Sequence, residues 1–272
     1  MKIFCCSDLH SYFTEFITEL RSKGFKENNP EHLLVVCGDI FDRGAESVKL
    51  YEYLNILTNL VLVRGNHEDL METMLNRGYA QNHDISNGTL YSASQFIDHL
   101  ELNNAADVRT AFNEVHNFLK PLFDKAVDYF ETENYIFVHG WIPCDTEDYG
   151  RTPWHLRGRT YKYNPEWRKA SSEEWQAARW INGIKAGYKE KIVEPNKTIV
   201  CGHWHCSAGH AIKKVEELSK ENPDVVLYNE SDYEFGSDAV FEPFAEEGIL
   251  AIDACTAHTR KVNVVVFDDN LL

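Results

Sequence analysis

Short apolar runs alternate with amphipathic stretches along the chain. Lys2 to Cys6, Leu33 to Cys37, Leu60 to Val63, Tyr135 to Val138 and Thr198 to Cys201 are bounded by polar or glycine positions, as expected of buried central strands. Between the first of them, Tyr12 to Ser22 carries Phe13, Phe16, Ile17 and Leu20 at helical spacing before Gly24. Ala45 to Leu57 carries Val48, Tyr51, Leu54 and Leu57 at three-residue steps, again a helical stripe. The resulting β-α-β-α-β order predicts an α/β fold with layered, largely parallel and mostly buried central sheets flanked by helices. Ligands are then expected outside the carboxyl ends of the strands.

Residues 70 to 133 show helical periodicity, notably Ala106 to Phe118 and Leu119 to Phe130, and read as a helical insertion. From about 141 to 171 the composition shifts to Trp, Pro, Arg, Tyr and Gly, which predicts a long irregular loop over the strand ends. A helix is expected at Ser172 to Ala186, capped by Ser171 or Ser172 with Glu173 and Glu174 in its first turn. Ala211 to Lys220 reads as helix and the acidic stretch Glu221 to Glu247 as a solvated loop. Ile249 to Ile252 and Lys261 to Phe267 read as closing strands around a turn at Cys255 to Arg260. One domain over residues 1 to 272 accounts for all of these elements.

The chain has 272 residues and 43% hydrophobic content, enough for a substantial core. Its formal net charge of -16 argues against a nucleic-acid or anionic-membrane partner, since neutralising phosphates takes clustered Lys and Arg. Bound cations would still reverse the local potential and admit a small anionic substrate. The seven cysteines lie partly within strand-like runs without a CxxC pair and read as reduced core residues. The start MKIFCCSDLH has no signal-peptide pattern, and no apolar run approaches the roughly 20 residues of a membrane helix. A cytoplasmic setting is the expectation.

The polar chemistry is concentrated directly after the apolar runs: SDLH at Ser7 to His10, GDIFDRG at Gly38 to Gly44, GNHE at Gly65 to Glu68, VHG at Val138 to Gly140 and GHWH at Gly202 to His205. Asp, Asn and His are thus delivered repeatedly to strand ends, as a pair of divalent cations requires. Asp8 and Asp39 each follow a strand, so their carboxylates are expected to converge, with Asn66 giving a neutral oxygen to a second cation.

These five motifs, in this order, resemble the calcineurin-like metallophosphoesterase superfamily, and GDIFDRG with GNHE resembles its phosphoprotein-phosphatase branch. The resemblance implies a first metal at Asp8, His10 and Asp39, and a second at Asp39, Asn66, His139 and His203, with Asp39 bridging. His205 would complete the first site, although that branch usually lacks the second His of GHWH. By the same resemblance His67 donates a proton to the leaving oxygen and Asp42 orients it. Arg43 and Asn66 would meet the phosphate, because a planar guanidinium suits bidentate donation. A further phosphate-binding Arg is expected in the region of ARWING, Ala178 to Gly183, where Asn182 stands at the aligned position. Arg179 is the leading substitute, with Arg157 and Arg159 as others.

The implied activity is metal-dependent hydrolysis of phosphate monoesters by a metal-bridging hydroxide, of the serine/threonine-phosphatase type. The rivals are a diadenosine tetraphosphatase-like hydrolase of phosphoanhydrides, a phosphodiesterase, and a non-catalytic interaction module on the same fold. Two divalent ions are implied, Mn2+ first, with Fe or Zn also suited to these ligands. The partner is a phosphorylated substrate: a phosphoprotein, a small phosphate ester or a nucleotide. The six tryptophans fall mostly after VHG, where core packing is the leading reading and a stacking wall for a base the alternative. His32, His83, His99, His116, His155, His210 and His258 lie outside ligand spacing and read as ordinary residues.

Overall fold

A computed structural model describes residues 1–97, 103–148, 159–221 and 230–270. The first half of the chain runs β1 (Lys2–Cys6), α1 (Phe13–Ser22), β2 (His32–Cys37), α2 (Ser47–Ile56) and β3 (Leu60–Val63). It continues through helices α3 (Asn66–Arg77), α4 (Asn82–Ser86), α5 (Thr89–Ser94) and α6 (Ala105–Phe123). Then come β4 (Phe130–Glu131), β5 (Tyr135–Phe137), β6 (Asp145–Asp148), β7 (Arg159–Lys162), α7 (Ser172–Ala178), β8 (Thr198–Cys201), α8 (Cys206–Glu221) and α9 (Glu230–Glu234). The described chain closes with β9 (Phe244–Glu246), β10 (Ile249–Ala251), α10 (Thr256–Thr259) and β11 (Val265–Asp268).

Two sheets form. In the first, with order β11-β1-β2-β3, β1, β2 and β3 are mutually parallel and β11 is an antiparallel edge. In the second, with order β4-β5-β8-β10-β9, the parallel centre β5-β8-β10 is flanked by antiparallel β4 and β9. Alternation along each strand explains the layering. Ile3, Cys5, Val35 and Cys37 face Phe137, Val200 and Ile252 in one core between the sheets, while Phe4, Cys6, Leu34 and Val36 face the helices of the first half. Ile136, Ile199 and Ile249 face a third cluster containing Trp141, Trp167 and Trp175. Each such aliphatic side chain, fully buried, contributes about 1.5–3 kcal/mol.

Several elements differ from the sequence reading. The two helical segments expected between Ala106 and Phe130 are one helix, α6, because Leu119, Leu122 and Phe123 extend the buried stripe of Phe112 and Val115. The chain leaves that helix at Asp124, since Val127 instead bridges Val63 at the edge of β3. α7 stops at Ala178, eight residues early, where the Ala178 carbonyl accepts the Trp141 N–H at 3.1 Å. The expected irregular loop contains the β6–β7 ribbon, and the acidic stretch contains α9 and β9. No helix among the described residues is long and apolar enough to cross a membrane.

Candidate metal centre

Five parallel strands share one terminal geometry. β1 ends at Cys6 and Asp8 follows two residues later; β2 ends at Cys37 before Asp39, β5 at Phe137 before His139, β8 at Cys201 before His203, and β10 at Ala251 before Asp253. Within each sheet the parallel strands align these ends, β1 and β2 in the first and β5, β8 and β10 in the second, so the residue two positions past each strand lies at the carboxyl edge of its sheet. Asp8, Asp39 and His203 sit in the left-handed backbone region with φ of 52°, 54° and 64°, as do His10 and Asp42 at 46° and 77°. Such residues each cost about 1–3 kcal/mol and persist only when the surroundings enforce them. Here the first two loops hold each other: Asp8 N–H donates to the Gly38 carbonyl at 3.0 Å, His10 N–H to Asp39 at 3.0 Å and Ser11 N–H to Ile40 at 2.8 Å. Gly38 must be glycine, because its φ is +77° and a Cβ would lie 2.6 Å from Gly65 Cα and 2.7 Å from His139 Nδ1.

Asp39 occupies the middle of the centre. Its Oδ1 lies 3.2 Å from His139 Nε2, and its Oδ2 lies 3.8 Å from both His10 Nε2 and His67 Nε2. It therefore belongs to two groups of ligand-type atoms, His10–Asp39–His67 and Asp39–His139–His203. Tautomers are set from behind. His10 Nδ1–H donates to the Phe41 carbonyl at 3.0 Å and His139 Nδ1–H to the Cys37 carbonyl at 2.8 Å, leaving each Nε2 lone pair aimed inward. Asn66 Oδ1 stands 2.7 Å from His139 Nε2, and Asp8 Oδ2 accepts the His203 N–H at 2.9 Å.

Electrostatics separates the four central histidines. Burial lowers the pKa of His10 and His139, and takes that of His203 down to about 3, so all three are neutral imidazoles at pH 7, the form that binds metal. His67 goes the other way. Burial pulls it down, but the Asp39 charge and the bond from its Nδ1–H to Asp42 Oδ2, 2.6 Å long, overcome this and raise it. Thr89 Oγ1–H donates to the same Asp42 oxygen at 2.6 Å. Both donors favour the Asp42 carboxylate against the burial that raises its pKa, and that carboxylate in turn favours the imidazolium of His67. A protonated ring is a poor metal ligand and a competent acid, which distinguishes His67 from its neighbours despite its place in one ligand group.

The carboxylates show what the centre accommodates. Asp8, Asp39, Glu68 and Asp253 are all buried. Desolvation and mutual repulsion raise Asp8 strongly and push Asp253 up to about 7. Burial also takes Glu68 up to about 7, while the histidines hold Asp39 well below the usual range against its desolvation. Buried carboxylates at one sheet edge, beside three inward imidazole lone pairs, fit divalent cations by charge and by donor type.

The outer residues divide. Arg43 is exposed, with Nη1 3.0 Å from His10 Nε2 and Nη2 3.5 Å from His67 Nε2, so its guanidinium lies over the centre. His205 stands outside both ligand groups, its Nδ1 3.2 Å from Ser207 Oγ and 3.3 Å from Glu234 Oε1. Arg179 differs from the sequence expectation: it donates to Asp69 Oδ2 at 2.6 Å and Asp128 Oδ1 at 2.5 Å, and is only 7% exposed. Asp69 also accepts from Arg64 Nε at 2.6 Å. The guanidinium is therefore committed to tying α7 to α3, the helix that carries His67. Arg179→Ala is expected to destabilise the protein by about 2 kcal/mol, because the half-buried Asp69 loses one of its two arginine partners; urea unfolding measures this, and an unchanged midpoint refutes it. Asn182 accepts from Lys185 N–H at 3.0 Å, a local turn bond. Arg157, His99, His155 and Trp154 lie outside the described residues.

Three residues, Glu68 of GNHE, Thr89 and Asp253, are given no role by the motifs. Glu68 accepts the backbone N–H groups of Gly65, Asp39 and Ile40 at 2.8–2.9 Å, joining the two central loops. Thr89 secures Asp42 across the helical segment. Asp253 follows Ile249 to Ile252 just as Asp8 and Asp39 follow their strands, so the strand-end pattern itself was the available signal.

The sequence model of the calcineurin-like phosphoesterases matches residues 1–228. The chain belongs to that family and is a phosphate-ester hydrolase. Among solved structures, a protein proposed to be a diadenosine tetraphosphatase is 13% identical, over 98% of this chain and 89% of its own, with a TM-score of 0.44. The cold-active protein-tyrosine phosphatase of a psychrophilic Shewanella is 14% identical, over 99% and 76%, with a TM-score of 0.44. A serine/threonine phosphatase of Saccharomyces cerevisiae is 16% identical, over 98% and 80%, with a TM-score of 0.38. No curated protein sequence matches the chain significantly.

Proposed function

We propose that this chain is a metal-dependent phosphomonoesterase. The observation that carries the reading is the position of Asp39 between His10 on one side and His139 and His203 on the other, with His67, whose pKa is raised, beside it. Asp8, His10 and Asp39 would hold one cation, and Asp39, Asn66, His139 and His203 the other, with Asp253 adding buried negative charge next to Asp8. When bound, the cations supply an activated water and positive charge for the phosphoryl oxygens.

The protein's own groups do the rest. Arg43 offers a planar pair of N–H donors above the centre, suited to two oxygens of one phosphate. His67 holds its acidic proton at Nε2, 3.8 Å from Asp39 Oδ2, and passes it to the leaving oxygen as the ester bond breaks. Asp42 keeps the ring in that orientation through Nδ1. Asp39 also accepts the His67 backbone N–H at 3.0 Å, so acid and bridging carboxylate are fixed relative to each other. The monoester reading is supported by Arg43, which lies over the centre and whose charge suits the dianion of a terminal phosphate.

Purified protein reconstituted with Mn2+ is expected to hydrolyse alkyl and aryl phosphate monoesters and a phosphoserine peptide. It should do so at least ten times faster than it hydrolyses bis(p-nitrophenyl) phosphate or diadenosine tetraphosphate, with chelation abolishing turnover. Faster cleavage of the diester or the dinucleotide would overturn the monoester assignment, and metal-loaded protein inert toward the whole panel would overturn catalysis.

A further inference from the structure

Among the described residues the tryptophans fall into two populations. Trp141, Trp167 and Trp175 are buried at 1%, 0% and 3% exposure, whereas Trp180 and Trp204 are 51% and 38% exposed. Isolated exposed aromatics are ordinary, but these two flank one candidate ligand. The Trp180 ring lies 5.8 Å from the His203 ring at 83°, and the Trp204 ring lies 6.1 Å from it at 64°. The line of rings continues outward, with His205 6.2 Å from Trp204 and Phe235, 51% exposed, 4.8 Å from His205.

The exposure has identifiable causes. Arg179 is drawn inward by Asp69 and Asp128, and its neighbour Trp180, past the end of α7, stays exposed. Trp204 lies between two histidines in a tight turn closed by its own N–H to the Gly202 carbonyl at 2.7 Å. Water-exposed indole surface forfeits burial free energy, and here both indoles lie against His203, one of the residues that would hold a cation.

We infer that Trp180 and Trp204 form a stacking subsite for a planar aromatic group carried by the phosphate ester. This deepens the phosphomonoesterase reading and rests on it. An aryl ring attached through the leaving oxygen and a nucleobase one sugar further out share this chemistry. The first would lie beside His203, and the second would reach toward Phe235. The neutral rim also suits a chain whose net charge of -16 offers an anionic substrate no general attraction. Stacking on such platforms changes affinity by roughly 5- to 100-fold per ring.

Binding of non-hydrolysable phosphonates to the Mn2+-loaded protein, measured by calorimetry, tests this. Phenylphosphonate is expected to bind at least fivefold more tightly than methylphosphonate if the aryl source is right. If the base is the ligand, a purine nucleoside phosphonate should show that margin over the matching sugar phosphonate. Trp180→Ala and Trp204→Ala should each shrink the preference at least threefold, with methylphosphonate affinity within twofold of the parent, and Trp204→Phe should restore it. A preference below twofold in both pairs, or one unchanged in the Trp180→Ala/Trp204→Ala double variant, overturns the subsite. Failure of methylphosphonate itself to bind the parent protein would instead overturn the phosphate-centre reading beneath it.

Discussion

Asp39→Asn is expected to lower kcat/KM for phosphate monoesters by roughly 10⁴-fold or more, the largest effect of any single substitution, with bound metal falling from two ions per chain to one or none. Asp39 is the one side chain common to both ligand groups, and its two oxygens face opposite sides of the centre. Asparagine keeps the shape but replaces one oxygen with an amide that cannot accept. One cation therefore loses a ligand, and the charge holding both is removed. Several kcal/mol of transition-state stabilisation depend on those ions, and each 1.36 kcal/mol is tenfold in rate. Elemental analysis after dialysis, with kinetics at saturating Mn2+, checks the prediction. A variant retaining two ions and more than a tenth of the parent activity would refute the bridging assignment.

His67→Asn is expected to reduce kcat for an alkyl phosphate by roughly 10²–10⁴-fold while leaving metal content intact. The defect should shrink for p-nitrophenyl phosphate, whose leaving oxygen scarcely needs a proton. That dependence separates an acid from a ligand, which would affect both substrates alike and lose metal. The pH profile gives a second check. His67 is raised above its ordinary value by Asp39 and Asp42, against the pull of burial. Its acidic form therefore survives to higher pH, and alkyl-ester turnover should fall only as pH rises through that raised value. Asp42→Asn removes one of the two raising carboxylates, so this alkaline limb should move to lower pH. A limb that stays in place would refute the Asp42–His67 pairing.

Much of this centre was legible before any coordinates. The strands β1, β2, β3, β5, β8 and β10 coincide with apolar runs because a strand buried on both faces leaves an uninterrupted hydrophobic segment. The motifs after them carry the ligand-type residues because parallel strands end on one edge. Edge elements such as β4, β6, β7 and β9 were missed. They are short and partly polar, and pairing with a neighbour, which no local window contains, makes them strands.

Arg179 shows the limit most clearly. A guanidinium near ARWING is equally suited to a phosphate or to carboxylates, and only packing places Asp69 and Asp128 against it. The same applies to the tryptophans, whose composition is one feature of the sequence and whose division into buried and exposed sets is decided by what α7 and the GHWH turn pack on.

By itself the sequence determined which residue types arrive at the strand ends, and in what order, because strand burial and motif chemistry are local properties of the chain. Tertiary structure decided which oxygen of Asp39 faces which histidine, that the pKa of His67 rises while those of its neighbours fall, and that Asp253 joins the centre. Those outcomes depend on distance and burial among residues as remote in sequence as Asp8 and Asp253, and charge interactions follow separation in space rather than along the chain.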